Sequence, residues 1–69
     1  MDRQNGTVKF FDNAEGVGIA VNQNGEDVLL SHKHILGTLA ETLDIFDEIT
    51  FYQAHTGGLL EARKVSPAD

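Results

Sequence analysis

No cysteine and no tryptophan occur in this sequence of 69 residues, and its single proline, Pro67, lies in the tail. Without cysteine there is no disulfide and no thiolate zinc site, which suits a reducing compartment. With proline confined to the end, nothing in the body loses a backbone N–H to it. Bases are scarce as well: 5 Lys+Arg stand against 11 Asp+Glu, a formal net charge of −6. That sign argues against a generic phosphate binder, because phosphate neutralisation supplies most non-specific affinity for nucleic acid. No apolar run approaches the roughly 20 residues of a membrane span. The opening MDRQNG lacks the apolar stretch of a signal peptide. The expectation is a soluble, cytoplasmic protein with no membrane partner.

What is present fits one small domain, expected over residues 1–69 with a core spanning 5–66. A chain this short buries only about 60% of its unfolded surface, so its stability margin is thin. Its charge is uneven. Residues 41–48 (ETLDIFDE) carry Glu41, Asp44, Asp47 and Glu48 with no base, so four of the six net negative charges sit there. Lys9 and Lys33 remain in the N-terminal half, and Arg63 and Lys64 lie near the end. Any basic strip on one face is therefore thin.

Five short strands follow from composition. Gly6 to Phe11 (GTVKFF) is rich in β-formers, and Val17 to Val21 alternates large and small residues. Between them, Asp12 to Gly16 is turn material. Asn24-Gly25 is a strong hairpin signal, because both residues accept positive φ. Asp27 to Ser31, Ile49 to Ala54 and Leu59 to Val65 complete the set, with Thr56-Gly57-Gly58 as a turn. His32 to Leu36 predicts one helical turn at most. Thr38 to Phe46 spaces Leu39, Leu43 and Phe46 like a helix, but it is short and uncapped. A long loop with a few core anchors is the preferred reading. The pattern predicts an all-β fold, a small five-stranded barrel.

On these strands the chain resembles the cold-shock domain family, whose fold is a five-stranded antiparallel OB-fold barrel. The family opening G-x-V-K-W-F-N is matched by Gly6 to Asp12 (GTVKFFD). Its first RNA-binding motif, K-G-F-G-F-I, is matched by Glu15 to Ala20 (EGVGIA), and its second, V-F-V-H-F, by Val28 to His32 (VLLSH). Ile35, Leu43, Ile49, Phe51 and Val65 fall at the family's core positions, so the resemblance covers nearly the whole chain. It implies binding of single-stranded RNA or DNA, and a nucleic-acid chaperone or regulator of gene expression. The sites it implies are Lys9, Phe10, Phe11, Val17, Ile19, Leu29, Ser31 and His32, with Lys9 on phosphate and Phe10 and His32 stacking. It also implies that Val17 and Ile19 face outward and Ala20 inward, whereas without it the large residues read as core. Phe10 and Phe11 are adjacent, so alternation exposes only one, and the sequence does not choose between them.

The departures weaken the functional half of the resemblance. Family aromatics are replaced by Val17, Ile19 and Leu29, the motif histidine by Ser31, a loop aromatic by Ala40, and the leading lysine by Glu15. Base–aromatic stacking is worth about 1–3 kcal/mol per base, so three lost stacks cost on the order of 3–9 kcal/mol as an upper bound. Tight binding needs roughly 11–15 kcal/mol, so the expected affinity is micromolar or weaker. The alternative is an interaction module that uses its aliphatic patch for a protein partner or a homodimer; the long loop also leaves a domain swap open.

No other chemistry competes. His32-x-His34 lacks a third ligand at a defined spacing, so no metal is expected, and no cofactor is implied. Ser31 and His32 are strand neighbours pointing to opposite faces, which does not make a nucleophile–base pair. Gly57-Gly58 is followed by no helix and cradles no phosphate. The acidic stretch is a solvated loop face. No enzyme is expected.

Overall fold

Alternation of buried and exposed residues makes every strand two-faced, and the curved sheet closes on its apolar side. The computed structural model describes residues 3–68. The strands β1 (Arg3–Asp12), β2 (Val17–Asn22), β3 (Asp27–Ser31), β4 (Glu48–Thr56) and β5 (Leu59–Pro67) form a closed barrel in the order β1-β2-β3-β5-β4. All five predicted strands are present; β1, β2, β4 and β5 run longer than expected, and Pro67 ends β5 opposite Ile49 rather than lying in a tail.

The barrel is the expected five-stranded one, antiparallel at every junction but one: β3 and β5 pair in parallel at Leu29–Glu61, with a second parallel bridge between Ile35 and Val65. Five strands in a ring cannot alternate direction at all five junctions, so one must be parallel. It falls where the long connection between β3 and β4 allows it.

The core comprises Val8, Phe11, Ala20, Val28, Leu30, Ile35, Leu43, Ile49, Phe51, Ala62 and Val65. The five core positions implied by the family resemblance are all among them. Burying a side chain the size of Leu30 or Phe51 contributes about 1.5–3 kcal/mol. The connection between β3 and β4 is a loop with two single 3₁₀ turns, His32–His34 and Leu39–Glu41. Leu43 anchors it in the core and Leu39 packs against the core edge, whereas Phe46 is 78% exposed.

Polar side chains fix the corners. Buried Asn22 accepts from the Asn24 and Glu26 amides through Oδ1 (2.9 Å each), and its Nδ2 donates to Gln53 Oε1 at 2.7 Å. Arg3 Nη2 donates to the Thr50 and Lys64 carbonyls and to Ser66 Oγ, tying the start of β1 to β4 and β5. Its guanidinium lies 4.8 Å above the Tyr52 ring centroid.

Candidate nucleic-acid interface

A bulge in β1 makes this face. Val8 pairs with Ala20 and Phe10 with Ile19, so Lys9 is the extra residue between them. A bulge lets two successive side chains escape strict alternation. Val8 points into the barrel, Lys9 and Phe10 both face solvent, and Phe11 returns to the core. Phe10 is 55% exposed and Phe11 only 9%. The sequence left this pair open; the structure assigns the surface to Phe10, and Phe11 drops out of the candidate site as a core residue.

From Phe10 an apolar row crosses the sheet. Phe10 pairs with Ile19, Ile19 with Leu29, and Leu29 with Glu61 of β5. Val17 lies further along β2 opposite Ser31. Val17, Ile19 and Leu29 are all exposed, and Ala20 is fully buried, as the resemblance implied. A shallow dimple of about 160 Å³ between Ile19, Leu29, Leu59 and Leu60 continues the row onto β5, where Leu59 is 63% exposed.

The two glycines of the first motif shape the row. A Cβ on Gly18 would meet the Phe10 carbonyl oxygen and lie 2.7 Å from Phe11 Cα, so only glycine lets β1 bulge against β2 here. Gly16 has φ +74°, and a Cβ there would lie 2.7 Å from His32 Nδ1. The His32 amide donates to the Gly16 carbonyl at 2.7 Å. Gly16 therefore seats His32, exposed, at the end of β3, joining the first motif to the second. Ser31, just before it, is half-buried. Asn13 Nδ2 donates to the Ala40 carbonyl (2.9 Å) and the Leu43 carbonyl (3.2 Å), clasping the long loop to the β1–β2 turn. A cleft of about 360 Å³ beside His32 is lined in part by Glu15 and Glu41, so its rim is acidic.

Lys9, Arg63 and His34 near the row each lie against a carboxylate. Lys9 Nζ lies 3.2 Å from Asp27 Oδ1. Arg63 donates to Glu61 Oε1 at 2.8 and 3.0 Å, and His34 Nε2 lies 3.9 Å from the same oxygen. The Arg63 hydrogen bond holds the Glu61 carboxyl below its ordinary range; desolvation opposes this, and the charges of Arg63, His34 and Lys33 add to it. His34 is thus half-buried beside a carboxylate rather than freely solvated. His32 and His34 share no carboxylate partner, and among the described residues no group of three His, Asp or Glu could hold a metal.

Sequence reasoning named Lys9, Phe10, Phe11, Val17, Ile19, Leu29, Ser31 and His32, and all of these except Phe11 lie on or beside the outer face of β1, β2 and β3. It missed Asp27 as the partner of Lys9, Glu61 as the end of the row, and Asn13 as the clasp. Their roles depend on cross-strand register, and no local motif marks them.

No family model matches the chain. It is 33% identical over 64 residues to the major cold shock protein CspA of Pseudomonas aeruginosa, covering 93% of each chain. No helix among the described residues is long and apolar enough to cross a membrane. With a closed five-stranded barrel and identity along nearly its full length, the chain belongs to the cold-shock protein family.

Proposed function

We propose that this chain binds single-stranded RNA or DNA weakly on the outer face of β1, β2 and β3, acting as a nucleic-acid chaperone or regulator of gene expression in the cytoplasm, as a single domain over residues 1–69. The observation that carries the reading is the outward row Phe10–Ile19–Leu29, with Lys9 beside one end and His32 seated on Gly16 near Val17. Phe10 and His32 stack on bases, Val17, Ile19 and Leu29 pack on bases or sugars, and Ser31 lines their edge. Stacking and apolar contact carry most of the affinity, because Asp27 already holds Lys9 and Glu61 already holds Arg63. Titration of a fluorescent oligothymidylate at low salt tests this. Micromolar binding that weakens in Phe10→Ala is expected; absence of binding at high micromolar protein overturns it.

A second reading is supported by the acids that flank the same row. Glu15, Asp27 and Glu61 disfavour phosphate, and Ile19, Leu29 and Leu59 form an aliphatic patch of the kind that marks protein contacts. On this reading the face binds a protein partner or a second copy of the chain. Sedimentation of wild type and Ile19→Asp separates the two: a concentration-dependent dimer lost in the variant favours the interaction module.

A further inference from the structure

The turn before β4 carries an aromatic in an unfavourable position. Phe46 has φ +70°, a left-handed conformation that bulky side chains rarely adopt. Among the described residues it is also the most exposed large hydrophobic side chain, at 78%. The backbone is thus in a strained conformation and most of the ring is left in water. Strain of this kind, held in place by surrounding structure, is characteristic of ligand-contacting positions.

The turn is held firmly. The Asp47 amide donates to the Asp44 carbonyl at 3.2 Å, Asp47 Oδ2 accepts from the Asp44 amide at 2.9 Å, and Asp44 Oδ1 accepts from the Ile45 amide at 2.8 Å. It is fastened to β1 on both sides of one residue: the Phe46 amide donates to the Val8 carbonyl and the Val8 amide to the Asp47 carbonyl, each at 2.8 Å. Val8 immediately precedes the Lys9 bulge and Phe10. β2, with Ile19, flanks one edge of β1, and the Phe46 turn flanks the other.

We infer that Phe46 is an additional base-stacking residue that extends the Phe10–Ile19–Leu29 row across β1 and holds one more unpaired nucleobase. The inference rests on the single-strand reading above and adds a contact that the three motifs do not contain. The turn is bonded to Val8, the residue next to Lys9 and Phe10 on β1, and this attachment selects a nucleobase as the occupant. The carboxylates of Asp44, Asp47 and Glu48 repel phosphate, so the contact is made with the neutral base plane, through stacking that tolerates any base.

The test uses the fluorescent oligothymidylate with four variants and thermal melts. Phe46→Leu keeps a bulky side chain at the left-handed position and removes the ring, so its affinity falls about 5-fold or more, the equivalent of one stack, with little change in Tm. Phe46→Tyr binds as wild type. Phe46→Gly relieves the strain, so it loses affinity while its Tm rises by about 4 °C or more. If wild type binds, Phe10→Ala weakens it and Phe46→Leu does not, this inference is overturned and the single-strand reading stands. If wild type does not bind at all, the single-strand reading fails and this inference with it. A wild-type dimer in sedimentation that Phe46→Leu dissociates, with oligonucleotide affinity unchanged, assigns the ring to self-association and also overturns it.

Discussion

Lys9 Nζ and Asp27 Oδ1 are 3.2 Å apart across β1 and β3, so the lysine beside the apolar row is neutralised by the protein itself. Both side chains are more than half exposed, and an exposed pair of this kind is worth about 0.2–1 kcal/mol. Asp27→Asn therefore lowers the melting temperature by at most a few degrees and frees Lys9 for phosphate. Affinity for oligothymidylate at low salt rises by about 2- to 5-fold, and the gain disappears near 1 M salt, where screening acts over about 3 Å. An affinity unchanged at low salt shows that Lys9 does not contact the strand.

Glu15 stands exposed at the entrance to β2, next to the glycine that seats His32. Glu15→Lys exchanges repulsion for attraction on the proposed phosphate path. The plot of log K against log salt steepens by about 0.7 for one added phosphate contact on a single strand. A slope equal to that of wild type places the phosphates elsewhere.

Gly18 is pinned between backbone atoms, which cannot swing aside as a flexible side chain does. Gly18→Ala forces β1 and β2 apart at the bulge, with an overpacking cost of about 3 kcal/mol or more. A domain of this size has only about 3–10 kcal/mol in total. Urea denaturation followed by circular dichroism detects either a large fall in midpoint or no folded baseline. A midpoint close to wild type contradicts the packing described for this position.

Glu61 links stability to pH. Its carboxyl titrates below its ordinary range when folded, chiefly through the Arg63 hydrogen bond. A group with a depressed folded pKa contributes stability above its unfolded-state pKa and loses it as pH falls through the folded one. The wild-type melting temperature therefore declines across that acidic window, and Arg63→Ala flattens the decline attributable to Glu61. Melts from neutral pH into the acid range measure it; parallel curves for the two proteins contradict the linkage.

The barrel was legible because its signals are local. β-Rich runs, Asn24-Gly25 and the Gly57-Gly58 turn place all five strands, and Ile35, Leu43, Ile49, Phe51 and Val65 fall in the core as their positions implied. The binding face was legible only in part. Alternation predicts one exposed residue in Phe10-Phe11 but cannot place Lys9 and Phe10 on the same side, because an unpaired bulge residue leaves no trace in a period-two pattern. Phe46 is misleading for a similar reason: its spacing from Leu39 and Leu43 mimics a buried helix face, while the turn at Asp44–Asp47 turns it into solvent. Asp27 acquires its role from Lys9 two strands away, and Glu61 from a β3–β5 pairing that exists only once the ring closes.

The central claim is that the outward row of β1, β2 and β3 binds single strands without a continuous aromatic platform. An NMR titration of the full chain with a short single-stranded DNA tests it most directly, because amide shifts report binding, strength and location together. Fast-exchange, micromolar binding is expected, with the largest shifts at Lys9, Phe10, Val17, Ile19, Leu29 and His32. Absence of shifts at millimolar DNA, or shifts confined to the opposite side of the barrel around Thr50, Tyr52 and Ser66, contradicts it.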